Sequence, residues 1–292
     1  FDPNHSREGK PDSLFARFAA DAADPTDAII PPLTILQRRK GSGLKALFAF
    51  APALAKPTAD GVSAAQRIHE SVTVALALTG GNDGLRLQTA DYEGNAGDAS
   101  APKTGLAQFE DVDDIAIVAA PGSTAGLADP VARDTAHGVY DALIRHAEKM
   151  KYRIAVLDCG DGQSVSDVRV TKARLNSAYA AFYYPWVTIA DPVTNRPLNL
   201  PPSGFVAGIY ARNDVERGVW KAPANDVVTL AIGFEERLTT LQQEFLNPEG
   251  INCFRSFDGR GFRLWGARTT SSDPEWRYVN VRRYFAFLEH SI

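Results

Sequence analysis

Between Ile115 and Ala190, apolar runs of strand length alternate with segments of helical period, and this alternation constrains the fold more than any other feature. Ile115-Ala-Ile-Val-Ala-Ala120 is a continuous apolar run ended by Pro121-Gly122, as expected of a strand buried on both faces. Asp129 then caps a helix with Pro130 at its first position, and Ala136, Val139, Tyr140, Leu143, Ile144 and Ala147 recur at helical spacing. Lys149 and Lys151 fall where the helix dipole favours cations. A second strand is expected over 153–158. After the loop 159–162 comes another helix, capped by Ser164 or Ser166, with Val168, Leu175, Ala178, Tyr179 and Phe182 as its apolar face. Trp186-Val-Thr-Ile-Ala190 reads as a third buried strand. Strand, helix, strand, helix, strand predicts parallel βαβ units with right-handed crossovers, hence an α/β fold whose largely parallel core sheet is flanked by helices.

The flanking segments are less regular. Residues 1–70 form an N-terminal region of uncertain fold, in which Pro11-Asp-Ser13 could open a helix carrying Leu14, Phe15 and Phe18. The second region, 71–292, holds the α/β core. At its start, Glu70 to Leu78 reads as a buried strand stopping at Thr79-Gly-Gly-Asn-Asp-Gly84, and Tyr92 to Lys103 as a loop. Past the alternation, Ile251–Phe257 and Phe262–Thr269 are strand-like runs joined by Asp258-Gly-Arg-Gly261, a hairpin. Asp273-Pro274 is expected to cap a last helix with Tyr278, Val281, Phe285, Leu288 and Ile292 on its apolar face. No Gly, Asn or Pro ends that helix, so the natural polypeptide is expected to continue.

Charge and cysteine usage exclude several classes of function. The chain has 292 residues with 31 Lys and Arg against 35 Asp and Glu, a net charge of −4 that offers no electrostatic footprint for nucleic acid or an anionic membrane. No apolar stretch approaches the roughly 20 residues that span a bilayer, so no membrane insertion is expected. The two cysteines, Cys159 and Cys253, are isolated, giving neither a disulfide framework nor a Cys-x-x-Cys site and fitting a reducing compartment of assembly.

A parallel sheet invites an enzyme, and three places were candidates for chemistry. Pro121-Gly-Ser-Thr-Ala-Gly126 lies where a phosphate loop would, but without its Lys or spacing, and is better read as an ordinary turn. Gly162-Gln-Ser-Val-Ser166 approximates a nucleophile elbow around Ser164, but the last Gly is replaced by Ser166, and Ser164 with Asp167 reads better as a helix cap. The histidine later in sequence that a hydrolase would need is only His290. Asp158 and Asp161 stand where a Mg²⁺ enzyme places carboxylates, although such residues more often form turns. The five histidines include no zinc-binding pair. No catalytic, cofactor-binding or metal residue is therefore assigned, and no cofactor. A small-molecule hydrolase or phosphate-binding enzyme on a doubly wound sheet is the alternative, with Asp158, Asp161 and Ser164 at its mouth.

What stands out instead is backbone punctuation set among large aromatics: Pro201-Pro-Ser-Gly204, Gly218-Val-Trp-Lys-Ala-Pro-Ala-Asn225, Gly250-Ile-Asn252 and Gly259-Arg-Gly261 beside Phe205, Tyr210, Trp220, Phe262, Trp265 and Trp276. This pattern suggests tight packing of element on element or subunit on subunit. Together with Thr79–Gly84, Tyr92-Glu-Gly94, Thr104-Gly-Leu106, Val112-Asp-Asp-Ile115, Ala207–Arg212 and Leu246-Asn247, it resembles the contractile tail sheath proteins of bacteriophages, R-type tailocins and phage-like extracellular injection systems. The resemblance covers about residues 75–292 and is most specific in Trp265-Gly-Ala-Arg-Thr-Thr-Ser-Ser-Asp-Pro-Glu-Trp276 with Tyr278–Arg283.

The resemblance implies a structural subunit rather than an enzyme, with a further C-terminal sheath domain that is absent here. It implies assembly in the bacterial cytoplasm into stacked six-fold rings of sheath subunits around an inner tube protein, bounded by baseplate and terminator proteins, as part of a phage tail, a tailocin or a released injection particle. Contraction would drive the tube through a target envelope using energy stored between subunits, without nucleotide hydrolysis.

Overall fold

Asp129 accepts the Ala132 amide hydrogen at 2.9 Å and Pro130 follows it, so the longest helix starts where the sequence sets its cap. The structure is a computed structural model that describes residues 86–98 and 101–292, and the readings made for 1–85 lie outside the described residues. In chain order the elements are α1 (Thr89–Glu93), a 3-10 turn (Gly105–Asp111), β1 (Ile117–Ala119), α2 (Pro130–Met150), β2 (Ile154–Asp158) and α3 (Val165–Ala173). They continue as β3 (Ala180–Tyr184), β4 (Val187–Ala190), β5 (Pro197–Leu200), α4 (Pro202–Glu216), β6 (Asp226–Val227) and β7 (Ala231–Phe234). The last are α5 (Thr240–Leu246), β8 (Ile251–Phe257), β9 (Gly261–Trp265) and α6 (Val279–Ser291).

Among the described residues the core sheet has six strands, in the order β1-β2-β3-β8-β9-β6. β1, β2, β3 and β8 pair in parallel, and β9 and β6 add antiparallel pairings. Alternate side chains divide the core into two layers, as the two-residue period of a strand requires. Ala155, Leu157, Ala180, Phe182 and Tyr184 pack toward Val139, Tyr140 and Leu143 of α2 and Val168 of α3. Ile154, Val156, Ala181, Tyr183 and Phe254 pack on the other side toward Val206, Ile209 and Tyr210 of α4. Burying a side chain such as Phe182 contributes about 1.5–3 kcal/mol. Gly138 lets α1 lie against α2, because a Cβ there would collide with Thr89.

The parallel α/β core is as expected, but several elements differ from the sequence reading. The helix after Ser164 stops at Ala173, and Phe182, expected on the apolar face of that helix, instead lies in Ala180–Tyr184, the third parallel strand. Its five residues are all buried, so they show no two-residue alternation that would separate them from a helix. Trp186–Ala190 consequently is not a parallel strand. A cis Tyr184–Pro185 bond precedes it, and β4 pairs antiparallel with β5 and β7 in a separate three-stranded sheet.

Among the described residues β1 is an edge strand in which only Val118 is buried, rather than a strand covered on both faces. Tyr92 belongs to α1, and the loop begins at Gly94. Of the Pro201-Pro-Ser-Gly204 string, Pro202 fills the first position of α4, where its missing N–H costs nothing. The β8–β9 hairpin forms as expected around Asp258–Arg260, with Gly259 and Gly261 at φ of 73° and 70°, although its second strand ends at Trp265.

The last helix departs most. Asp273 accepts the Glu275 amide hydrogen at 2.9 Å in a local turn, and α6 begins only at Val279. Its buried side is Val279, Arg282, Arg283 and Ala286, whereas Tyr278, Phe285 and Ile292 of the expected apolar face are exposed. The guanidiniums face inward because aromatic rings and a carboxylate wait for them there.

Candidate functional site

The mouth of the sheet, beyond the carboxyl ends of β1 and β2, is where a parallel α/β protein would bind a ligand. Here the candidate groups are engaged with one another's backbone. Asp158, the last residue of β2, is 3% exposed; its Oδ1 accepts the Ser203 amide hydrogen at 2.5 Å and its Oδ2 accepts the Ser203 hydroxyl at 2.7 Å. The carboxyl thus serves the first turn of α4, whose N-cap Pro201 has no side chain to do so. Burial pushes its pKa up to about 7, against the two hydrogen bonds from Ser203, which pull it down.

Asp161 sits one loop further on. Its Oδ1 accepts the amide hydrogens of Gly126 at 2.7 Å and Leu127 at 3.3 Å, closing the 121–126 turn against the 159–163 loop. Those two N–H groups therefore already hold a carboxylate. Thr124, fully buried, donates its hydroxyl to the Cys159 carbonyl at 2.8 Å, and α2 begins only at Pro130, beyond the turn. Ser164 caps α3 as the sequence reading had it: its Oγ accepts the Asp167 amide hydrogen at 3.3 Å and donates to Asp167 Oδ2 at 2.6 Å. That bond and the Ser164 backbone hold the Asp167 carboxyl below its ordinary range.

His290 is at the other end of the molecule. Its ring packs edge-on to Tyr152 at 5.1 Å, just before β2, while Ser164 follows the end of that strand. A strand of this length separates them by roughly 17 Å, so the structure does not bring the two together. Among the described residues, no group of three or more His, Cys, Asp or Glu side chains is placed to hold a metal ion. No helix among the described residues is long and apolar enough to cross a membrane. A cleft of about 230 Å³ opens at this amino end of the sheet between Asp113, Arg153, Asp214, Arg283 and His290. Its charges balance, and Arg283 and Arg153 are already bonded.

The residues that the structure concentrates are instead those of the strap from Trp265 to Arg283. Arg282, 5% exposed, is sandwiched between Tyr179 and Trp276 at 4.6 and 4.4 Å from their ring centroids. Arg283 makes a two-pronged pair with Asp214 at 2.9 and 2.6 Å and lies over the Tyr210 ring, whose hydroxyl meets that of Tyr183. Arg268 stacks on Tyr278, with which it also forms a β-bridge. The sequence marks this strap by alternating Arg and aromatic residues in one short string but does not name their partners.

At the amino end of the sheet, Arg153 is buried and donates to the carbonyls of Ile115 and Val112, with His146 as a further partner at 2.7 Å. Burial and the adjacent guanidinium push the His146 pKa down. This arginine fixes the 112–115 segment ahead of β1.

Known proteins resemble the chain over this core. The family model for the phage tail sheath protein central domain matches residues 89–270. A putative prophage major tail sheath protein of Pseudomonas aeruginosa is 32% identical over 139 residues, 46% of this chain and 35% of that protein. The tail sheath protein of Burkholderia phage BcepMu is 33% identical over 108 residues, covering 35% of this chain and 22% of that protein. Among solved structures, the contracted helical sheath of the anti-feeding prophage is 38% identical, with a TM-score of 0.50, covering 63% of this chain and 46% of that one. The chain thus spans less than half the length of these relatives. With the family model covering residues 89–270, well over half of its length, the chain belongs to the phage tail sheath protein family.

Proposed function

We propose that this chain is a structural subunit of a contractile tail sheath, which assembles with copies of itself around an inner tube and shortens to drive that tube through a target envelope. The observation that carries this reading is the agreement of the α/β core with the contracted anti-feeding prophage sheath at 38% identity. The internal use of Asp158 and Asp161 as ties between segments, and of Ser164 as a helix cap, supports it, since a scaffold that works by reassembly needs rigid subunits and no substrate mouth. The work of contraction would come from interfaces between subunits, without a catalytic residue or a cofactor. Baseplate, inner tube and terminator proteins would be its partners, and assembly would take place in the bacterial cytoplasm before a phage tail or injection particle forms.

The test is to purify contractile particles from cells expressing the full gene and locate this chain by gold-labelled antibody. Labelling along the outer wall of extended and contracted tubes is expected. Contractile particles that lack the chain, or that carry it only at a tip, would overturn the proposal.

A further inference from the structure

One face of the β8–β9 hairpin gathers positive charge with no carboxylate paired to it among the described residues. Arg255 and Arg263 stand directly opposite each other across the two strands. Like charges in that register destabilise a hairpin. On the same face Phe257 and Trp265 meet with ring centroids 4.6 Å apart, and the exposed Arg260 lies over both, at 4.8 and 5.7 Å. Arg255 donates to the Thr240 hydroxyl at 3.1 Å but leaves its buried Nε without a partner, and Arg263 donates to the carbonyls of Arg260 and Asn225. No ion pair joins Arg255, Arg260 or Arg263 to a carboxylate among the described residues. Guanidiniums stacked on aromatic rings and short of anions form a surface suited to an acidic segment with apolar side chains.

The chain itself presents such a segment. Phe109-Glu-Asp-Val-Asp-Asp114 precedes β1, with Phe109 and Val112 exposed by 42% and 43%. Glu110 is occupied by Lys149 and Asp111 by Lys103, leaving exposed Asp113 and Asp114 with no ion pair among the described residues. Asp113 is close enough to Arg153 to favour its charge, and the bonds from Arg153 to Val112 and Ile115 hold the segment in place.

Topology prevents the two surfaces from meeting within one molecule. β1 and β8 run in the same direction, so the acidic segment lies at the amino end of the sheet and the hairpin tip at the carboxyl end. β1 is moreover an edge strand, with β8 and β9 in the fourth and fifth places. We propose that the arginine face of the β8–β9 hairpin docks on the 109–114 segment of a second copy of this chain, head to tail. A contact between two different patches leaves one of each free at the ends, so it propagates into a ring or a helix rather than closing a dimer. This inference rests on the sheath-subunit reading above and names a surface by which its copies join.

The test uses the full chain with two neutralised variants, R255Q/R260Q and D113N/D114N, followed by sedimentation velocity at low ionic strength. Wild type is expected to form oligomers that weaken as salt screens the charges. Each variant alone should associate at least about tenfold more weakly, and an equimolar mixture should regain a discrete dimer, because one intact surface remains on each partner. The Arg260 side chain makes no hydrogen bond among the described residues and is exposed, so R260Q replaces the double variant should the latter lose its thermal transition. A mixture that sediments no differently from the separate variants overturns the contact, as does wild type that stays monomeric or variants that associate as wild type does. Those results leave the location of the chain in purified particles untouched, so failure of this contact is distinguishable from failure of the sheath reading.

Discussion

Asn252 and Arg268 exchange a reciprocal pair of hydrogen bonds: the Arg268 amide donates to Asn252 Oδ1 at 2.6 Å, and Asn252 Nδ2 donates to the Arg268 carbonyl at 2.7 Å. Nδ2 donates its second hydrogen to the Phe182 carbonyl on β3 at 3.1 Å, so one fully buried side chain ties the strap to the sheet. Gly266 permits this, since a Cβ there would lie 2.9 Å from Asn252 Oδ1. N252A leaves the buried Arg268 amide without its acceptor and takes a donor from the Arg268 and Phe182 carbonyls, at about 1–3 kcal/mol for each group left unpaired and out of reach of water. A loss of about 3 kcal/mol in urea unfolding is expected, and N252D should do no better because it removes both donors. Wild-type stability in N252A would mean that the strap is held by its aromatics alone.

That tie explains which parts of the structure were legible. Asp129-Pro130 and Ser164 with Asp167 act within a few residues of themselves, and local chemistry of that kind can be read directly from the chain. Gly250-Ile-Asn252 and Trp265-Gly-Ala-Arg268 could be recognised as a pattern, but their partnership crosses 16 positions and depends on a strand pairing that no local period encodes. β3 escaped because all five of its residues are buried, and α6 because its inward face is built from arginines whose carboxylate and rings lie on other elements. The use of Asp158 as the cap of α4, 45 positions away, has no local signature in the chain.

Arg283 and Asp214 should behave as one unit. D214A strands a guanidinium that is only 6% exposed, and breaking a buried pair from one side typically costs about 3–5 kcal/mol. R283M removes the charge while filling part of the space, so it should cost less, and the double variant D214A/R283M should be more stable than the sum of the single losses implies. A double-mutant cycle by chemical denaturation measures this. Additive losses would show that the two-pronged pair contributes nothing beyond its separate packing.

Asp158 should make stability depend on pH in a direction opposite to that of an ordinary surface carboxylate. Its pKa is raised to about 7 in the folded protein, against about 3.9 when exposed in the unfolded chain. The folded state therefore holds this proton more tightly, and the stabilisation is fully present below about pH 4 and lost as the pH rises through about 7. Asn at this position cannot ionise, yet it can still accept the Ser203 amide hydrogen and donate to its hydroxyl. The difference in melting temperature between D158N and wild type should grow in favour of D158N between pH 5 and 8. A constant difference over that range would place the Asp158 titration elsewhere.

Asp161 and Ser164 bear on the choice between scaffold and enzyme. S164A removes an N-cap that accepts the Asp167 amide hydrogen, a loss of about 1 kcal/mol. D161A frees the Gly126 and Leu127 amides, one of them exposed enough for water to replace the carboxylate, so a similar cost is expected. If these groups only connect loops, the double variant melts a few degrees lower but enters particles and contracts as wild type does. The informative measurement is the fraction of contracted particles under the electron microscope, with the amount of incorporated chain held equal. Normal incorporation with contraction abolished would assign the mouth of the sheet a part in the motion, because loss of stability alone reduces how much chain is incorporated rather than what an incorporated subunit does.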